Sequence, residues 1–333
     1  MFRLQTLLAI LMTSVLTSNS LADEPLRISG QTMGSYYAIV IDSPGAADGD
    51  QIQAEVEKRL AEITQQMSNW DDESEISRFN RSTSVDWIPV GKDFATVVTE
   101  AKRLHTATEG AIDITVTPLI DAWGFGKTKQ RVIPTDAQIQ EALKRVGMRH
   151  VDVRMEPPAI RKSLPQVMLN VSSLAPGYAT DEVCGILNAR GLKSHVVDVG
   201  GENRAGLAKA NGDAWRLGVE SPLTGMHKIV ELTDQAIATS GDYRNFFVFQ
   251  GKKYAHILDP KTGRPVENPP ASVSVIHKSC MTADGLATAM MVLGAKDGMK
   301  VAQQSGVDVM FLDVDANGML VEKSSGVFQA AEQ

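Results

Sequence analysis

Residues 246–258 read FFVFQGKKYAHIL, two apolar and aromatic runs separated by a short polar segment. Phe246 to Phe249 and Tyr254 to Leu258 have the composition of β-strands, and Gly251-Lys252 between them is typical of a tight turn. We therefore expect a β-hairpin, in which the two strands are antiparallel neighbours. Strands that neighbour one another along the chain favour an α+β fold over a doubly wound parallel sheet.

The rest of the chain after residue 194 also reads mostly as strands. The expected ranges are His195 to Val199, Trp215 to Val219, Lys228 to Leu232, Ser272 to Ile276, and a closing hairpin of Val307 to Val314 and Met319 to Val321 that turns at residues 316–318.

Helices are predicted where apolar residues recur at intervals of three and four, as they do from Ile52 to Met67. Caps and terminal glycines set the ends of the other helices. These are Phe94 to Leu104 with Asp93 as N-cap, Thr135 to Val146 with a capping box to Gln138, a helix from Gly177 to near Gly191, Thr282 to Leu293, and Gly298 to Gln304.

The N-terminus has the parts of a secretory signal peptide. A basic Arg3 precedes an apolar run from Leu7 to Leu16, and Ser20-Leu21-Ala22 has small residues where a signal peptidase reads the chain. The apolar run is too short for a membrane-spanning helix, which needs about 20 residues. We expect cleavage after Ala22, which leaves residues 23–333 as one periplasmic domain without an integral membrane segment.

Composition bears on partners and on redox chemistry. The sequence has 33 basic and 40 acidic residues, a net charge of −7, and loss of Arg3 leaves 32 against 40, or −8. This balance argues against a nucleic-acid partner, which a basic surface would bind. The two cysteines, Cys184 and Cys280, are expected to be buried apolar thiols, with a disulfide as the alternative that export would permit.

One pair of oxygen-bearing side chains is the strongest candidate for a metal site. Asp284 and Thr288 are four residues apart at the start of a predicted helix and therefore lie on one face of it. A carboxylate and a hydroxyl are suited to Mg²⁺ beside a phosphate. Taken alone, Asp284 would instead be an acid favoured by the helix dipole.

Four other clusters lie between predicted elements, where a rigid scaffold usually presents function. Residues 110–115 offer Asp113 as an acceptor for a ring N–H or as a turn cap, and residues 199–202 form a glycine turn ending in Glu202. Residues 239–244 form a loop suited to donating hydrogen bonds to phosphate, or a plain turn. Residues 256–264 bring His256, a candidate general base, near Arg264.

Taken in order, these segments resemble the ApbE family, the FAD:protein FMN transferases. The resemblance covers nearly all of the chain after the signal peptide. Its segments are Thr32 to Ser35, Met67 to Trp70, Ser77 to Asn80, Gly110 to Thr115, Trp123 to Gly126, Ser172 to Asp181, Val199 to Glu202, Thr239 to Asn245, His256 to Arg264 and Thr282 to Gly294.

The resemblance implies a T-fold-related α+β architecture, with mostly antiparallel sheets and packed helices. It implies Mg²⁺-dependent transfer of FMN from FAD to a Thr or Ser hydroxyl of an exported redox protein, with release of AMP. By position, Asp284 and Thr288 would bind Mg²⁺ with Ala179, and His256 and Asp284 would be catalytic. The implied FAD contacts are Met33, Trp70, Ala111, Ile112, Asp113, Glu182 and Arg264.

Two positions depart from the family's pattern. Where the family usually has D-L-S-x-x-A-K-G-Y-A-x-D, with Lys or Glu at the seventh position, this chain has Asn170 and Pro176. Both changes remove a charge, and proline also lacks an N–H. We expect these changes to affect the transfer step more than FAD binding. Two alternative functions therefore stay open. One is a Mg²⁺-dependent FAD pyrophosphatase that releases FMN and AMP, and the other is a periplasmic FAD-binding protein without turnover.

Overall fold

A computed structural model of the protein describes residues 24–127, 131–221, 223, 225–241, 246–315 and 317–330. The predicted signal peptide therefore lies outside the described residues. Within those ranges, no helix is both long enough and apolar enough to cross a membrane.

Helices and strands alternate irregularly along the chain. The helices are α1 (Gly49–Met67), α2 (Glu75–Arg81), α3 (Lys92–Ala107), α4 (Thr117–Ala122), α5 (Asp136–Leu143), α6 (Ala175–Ala189), α7 (Cys280–Ser305) and α8 (Val327–Ala330), with a short 3₁₀ turn at Met148–His150. The strands are β1 (Leu26–Thr32), β2 (Ser35–Ile41), β3 (Ile88–Pro89), β4 (Val151–Met155), β5 (Pro158–Lys162), β6 (His195–Val199), β7 (Glu202–Ala205), β8 (Trp215–Ser221), β9 (Gly225–Leu232), β10 (Gln235–Gly241), β11 (Phe246–Phe249), β12 (Lys252–Ala255), β13 (Leu258–Asp259), β14 (Arg264–Pro265), β15 (Ser272–His277), β16 (Asp308–Val314) and β17 (Leu320–Ser324).

One large antiparallel sheet organises the fold. Its strand order over the described residues is β1-β2-β6-β7-β10-β15-β16-β17, and smaller antiparallel sheets are formed by β3-β5-β4, β8-β9, β11-β12 and β13-β14. Because successive side chains of a strand face opposite sides, the large sheet contributes to two cores. In β10, Ala238 packs in the core with α1, α3, α6 and α7, and Ile237 packs with β8, β9 and α8.

Strand register places several candidate segments at one edge of the large sheet. The turn between β1 and β2 is Met33-Gly34, and the turn between β6 and β7 is Gly200-Gly201. Tyr37 pairs with Val199, so the two turns lie side by side. Asn203 pairs with Ile237 in the antiparallel neighbour β10, whose last residues run to the same edge. The edge therefore collects residues 33–35, 200–202 and 239–241.

The predicted helices are confirmed, with corrections at their ends. Asp93 is not the N-cap of α3, because Gly91 occupies that position and the Asp93 carboxylate accepts hydrogen bonds from Arg59 and Tyr178 instead. The third predicted helix ends at Leu143 rather than Val146, and α6 begins two residues before Gly177. The two helices predicted after residue 280 form one element, α7, interrupted at Gly294 by a positive φ of 68°.

The predicted hairpin at residues 246–258 is confirmed, but its turn is Gln250-Gly251, where both residues have positive φ. The second predicted strand is divided between β12 and β13, and His256 and Ile257 lie in the break. Residues 239–241 were expected in a loop but form the end of β10. Residues 242–245, the rest of that predicted loop, lie outside the described residues. Cys184 and Cys280 are buried free thiols, as expected.

Candidate active site

A cavity of about 290 Å³ opens at the sheet edge that carries residues 200–202 and 239–241. The N-terminal part of α7 forms one wall, and the segments after α3, before α6 and after β12 form the others. Six of the predicted site residues line it, although they come from three separate regions of the sequence. They are Ala111, Ile112, Asp113, His256, Asp284 and Thr288.

Asp284 and Thr288 face this cavity from successive turns of α7. Asp284 is 5% exposed, and one of its carboxylate oxygens accepts a hydrogen bond from the N–H of Gly177 at 3.2 Å. Burial raises the pKa of Asp284 to about 7. The hydroxyls of Thr288 and Ser240 lie 3.1 Å apart, which joins α7 to the end of β10.

Glu202 lines the cavity as a third acid beside Asp284 and Asp113, and it was not among the predicted catalytic, FAD-binding or metal-binding residues. It follows the Gly200-Gly201 turn, and its backbone carbonyl accepts a hydrogen bond from Thr180 at 3.2 Å. Burial, together with the nearby charge of Asp284, raises the pKa of Glu202 well above its usual range. Its sequence signal was its position directly after a glycine turn at the end of a strand.

Asp113 occupies the segment after α3, where Gly110 adopts a φ of +85° and redirects the chain. The Asp113 carboxylate accepts hydrogen bonds from the N–H and the hydroxyl of Thr115 and from the N–H of Met148. These contacts hold the segment in place, as expected if Asp113 caps a turn. The carboxylate oxygen that accepts the Met148 N–H has a second lone pair that can accept a further hydrogen bond. His105 Nδ1 also lies 3.5 Å from that oxygen, and the Asp113 side chain is 3% exposed, so the described role of Asp113 is to hold the loop at the cavity.

His256 lines the cavity from the segment between β12 and β13. Aromatic packing supports this region: the rings of Phe125 and His256 are 6.4 Å apart, and Phe247 stacks on Tyr254 at 5.1 Å. Trp123 donates a hydrogen bond from its indole N–H to the carbonyl of Gly263 at 2.9 Å, which ties α4 to the segment after β13. These contacts position the imidazole against the cavity.

The ApbE family model matches residues 33–311, which includes every segment of the cavity. The chain belongs to the ApbE family. It is 42% identical over 294 residues to the FAD:protein FMN transferase of Vibrio cholerae, with 87% of each chain covered. It is 36% identical over 333 residues to the protein of the same name from Haemophilus influenzae, with 97% of this chain and 96% of that relative covered.

Solved ApbE structures share the fold. The apo form of the flavinyl transferase ApbE from Pseudomonas stutzeri matches with a TM-score of 0.86 at 33% identity, covering 94% of this chain and 98% of that one. The predicted α+β, ApbE-like architecture is thereby confirmed. The prediction that the chain is an enzyme of the transferase class is confirmed as well.

In this ApbE-family chain, Met33 and Trp70 stand close to the cavity without lining it. Met33 forms the β1–β2 turn with a φ of 50°, unusual for a residue with a side chain, beside the Gly200-Gly201 turn. Trp70 is 67% exposed. Its neighbour Asn69 donates a hydrogen bond at 2.9 Å to the carbonyl of Leu169, which precedes a lining residue. Their assignment as FAD contacts stays a prediction.

The other three predicted residues are not part of the cavity lining. Glu182 accepts hydrogen bonds from Arg59 on the outer side of α6, and Arg264 pairs with Asp136 at the start of α5. Ala179 is fully buried within α6. The contacts described for these three residues do not depend on a bound ligand, so their roles toward FAD and Mg²⁺ stay predictions.

The two departures from the ApbE pattern fit the local structure. Asn170 lines the cavity, and its side-chain oxygen accepts the N–H of Ser172 at 3.0 Å, a hydrogen bond that an aspartate would also accept. Pro176 lies in the first turn of α6, where its missing N–H has no intrahelical partner to lose. The fold therefore accommodates both residues.

The donor set of the cavity fits Mg²⁺. Asp284, Glu202, Thr288 and Ser240 offer carboxylate and hydroxyl oxygens, which this hard cation prefers. With Asp113, the described lining has three acids and no Lys or Arg to balance them. Across the described ranges, no group of three or more His, Cys, Asp and Glu side chains could hold a metal. Two acids with hydroxyls suit Mg²⁺ held jointly with substrate phosphates, since this ion is seldom enclosed by protein ligands alone.

Proposed function

We propose that this protein transfers FMN from FAD to a Thr or Ser hydroxyl of an exported redox protein and releases AMP. The observation that carries the proposal is the single cavity in which the Asp284–Thr288 pair, the Asp113 segment and His256 meet. The relatives named FAD:protein FMN transferase support the same activity.

The reaction forms one bond and breaks one. The acceptor hydroxyl oxygen bonds to the phosphorus of the FMN half, the bond between that phosphorus and the bridging oxygen breaks, and AMP leaves with the bridging oxygen. The hydroxyl proton must go to a base, and His256 is the histidine among the described residues that line the cavity. We assign it that role.

Mg²⁺ would be held by Asp284 and Thr288, with Glu202 as the second acid of the same wall. The ion supplies charge neutralisation for the anionic diphosphate and for the transition state. The hydrogen bond from Gly177 fixes the rotamer of Asp284, so its second oxygen can point into the cavity. With the cation bound, the pair would hold the diphosphate in the cavity that His256 also lines.

The size of the cavity indicates how FAD would lie. Pockets for small molecules typically measure about 300–1,000 Å³, so a cavity of about 290 Å³ accommodates only part of a dinucleotide. We place the diphosphate and one ring system inside it. The remaining ring extends to the surface near the exposed Trp70, which offers a face for stacking.

The place of action follows from the N-terminal sequence. Residues 1–22 have the composition of a cleaved signal peptide, which supports the proposal that the enzyme and its flavin-accepting partner act in the periplasm. Expression of the full chain, followed by N-terminal sequencing of the periplasmic fraction, tests this point. A mature N-terminus at residue 23 is expected, and an intact Met1 in the cytoplasmic fraction would contradict it.

Product analysis tests the transferase proposal against its rivals. The mature protein is incubated with FAD and Mg²⁺, with and without a flavin-accepting domain, and AMP, free FMN and protein-bound flavin are measured. The transferase requires AMP in equal amount to acceptor-bound flavin. AMP with free FMN in the absence of acceptor indicates a pyrophosphatase, and bound, uncleaved FAD indicates a binding protein.

A further inference from the structure

Asp181 is an acid of α6 that contacts the beginning of α7. Its carboxylate accepts hydrogen bonds from the Ser279 hydroxyl at 2.8 Å, the Cys280 N–H at 2.9 Å and the Met281 N–H at 3.2 Å. Arg204 of β7 donates to the same carboxylate at 2.6 Å. One side chain therefore joins α6, β7 and the first turn of α7.

These contacts satisfy groups that a helix leaves unpaired. The first N–H groups of a helix have no intrahelical acceptor. In α7 the N-cap Ser279 accepts the N–H of Thr282, and Asp181 accepts those of Cys280 and Met281. A negative charge at this end also interacts favourably with the helix dipole. The position and rotation of the first turn of α7 are therefore set by a residue from another helix.

The same two helices meet again at Asp284. Gly177 lies one turn before Asp181 in α6, and its N–H donates to the Asp284 carboxylate. Asp284 and Thr288 follow the capped turn by about one and two turns, so a shift or rotation of that turn moves both side chains. Asp181 itself does not line the cavity.

We infer that Asp181 is a positioning residue for the metal site: it fixes the start of α7 so that the oxygens of Asp284 and Thr288 face the bound cation. The inference rests on the proposed function, because it requires Mg²⁺ at these two residues. Residues that orient metal ligands through hydrogen bonds typically affect metal affinity by about 10–100-fold.

The test replaces the carboxylate by its isosteric amide in Asp181→Asn, which loses one of the two acceptor oxygens. Mn²⁺ serves as the probe for the Mg²⁺ site, and its binding is measured by electron paramagnetic resonance in saturating FAD. We expect the Kd for Mn²⁺ to rise about tenfold or more, while the Kd for FAD without metal stays unchanged.

Glu75→Gln is the matched control. Glu75 of α2 accepts the N–H of Gly91 with both carboxylate oxygens, at 3.0 and 2.9 Å, and so caps α3 from a neighbouring helix. The α3 helix carries neither of the proposed cation ligands. Both variants lower the unfolding temperature, but only Asp181→Asn weakens Mn²⁺ binding. Ser279→Ala removes the hydroxyl contact to Asp181 and also the N-cap hydrogen bond from Thr282. It leaves the other three contacts of Asp181 in place, is expected to raise the Kd for Mn²⁺ by a smaller factor, and serves if Asp181→Asn does not fold.

The possible outcomes separate the two claims. If the parent protein binds Mn²⁺ and Asp181→Asn binds it equally well despite a lowered unfolding temperature, Asp181 is only structural and the inference is overturned. Should Ser279→Ala stand in for it, an unchanged Kd for Mn²⁺ overturns the inference in the same way. If the parent protein itself binds no Mn²⁺ in saturating FAD, the proposed metal site fails and the inference fails with it.

Discussion

Replacing Gly177 by alanine tests whether the contact between α6 and α7 sets the site. A Cβ atom at this position would lie 2.6 Å from the carbonyl oxygen of Cys280 and 2.8 Å from Met281 Cα. Favourable carbon contacts need about 3.5 Å, so the start of α7 must retreat by about 0.7–0.9 Å. The hydrogen bond from Gly177 to Asp284, already 3.2 Å long, would then exceed hydrogen-bond length.

Two opposing effects set the expected stability change. Overpacking of this kind costs about 1–3 kcal/mol, and removing a helical glycine returns about 0.5–1 kcal/mol. We therefore expect Gly177→Ala to lower the free energy of unfolding by about 1 kcal/mol, within a range of about 0–2.5 kcal/mol. A displacement approaching 1 Å at a catalytic group can lower the rate about 100-fold. Urea unfolding and the initial rate of AMP release measure the two effects.

Gly185→Ala is the control from the same helix. A Cβ atom at Gly185 would meet nothing within 4 Å, so this change should raise the free energy of unfolding by about 0.5–1 kcal/mol and leave AMP release unchanged. The reasoning is refuted if Gly177→Ala is stabilised as much as Gly185→Ala and releases AMP at the parental rate.

Three further predictions concern a buried amine, an exposed ring and a helix cap. Lys162 is fully buried, and burial lowers its pKa from 10.5 to about 8, so the folded protein binds this proton more weakly than the unfolded chain does. Relative to Lys162→Met, the parent should therefore gain about 2–3 kcal/mol of unfolding free energy between pH 7 and pH 10, and an equal difference at both pH values in urea unfolding would contradict this. Trp70→Ala should weaken FAD binding by about 0.5–1.5 kcal/mol in a fluorescence titration, with little change in stability, and an unchanged Kd for FAD would remove Trp70 from the site. Thr135→Ala, which removes the capping box of α5, should lower the free energy of unfolding by about 1 kcal/mol, and a loss below about 0.3 kcal/mol would count against the cap.

Features with a local cause could be predicted from the sequence. The spacing of Ile52 to Met67 indicated α1, and the Thr135 capping box located the start of α5, because both depend on residues within one or two turns. The break at Gly294 falls between the two helices predicted after residue 280, since glycine readily adopts the positive φ found there. The position of Asp284 and Thr288 on one face of a helix followed from helical periodicity alone.

Features that depend on distant contacts could not be predicted in this way. Thr239 to Gly241 have the composition of a turn, yet pairing with β15 makes them the end of a central strand. The role proposed for Glu202 depends on its proximity to Asp284. The role inferred for Asp181 depends on its contacts with a helix that begins about 100 residues later in the sequence. Neither relation leaves a pattern in the local sequence, so only the folded chain reveals it.

The central claim is that the cavity transfers FMN to a protein hydroxyl through its cation-binding wall. Its most direct test is intact-mass measurement of a flavin-accepting domain after incubation with FAD, Mg²⁺ and either the parent protein or Asp284→Ala. A version of the acceptor with its Thr replaced by Val controls for the hydroxyl. The account predicts a mass increase of one FMN less one water with the parent, and no increase with Asp284→Ala or with the Val acceptor. An unmodified acceptor with the parent, or equal modification by Asp284→Ala, would contradict it.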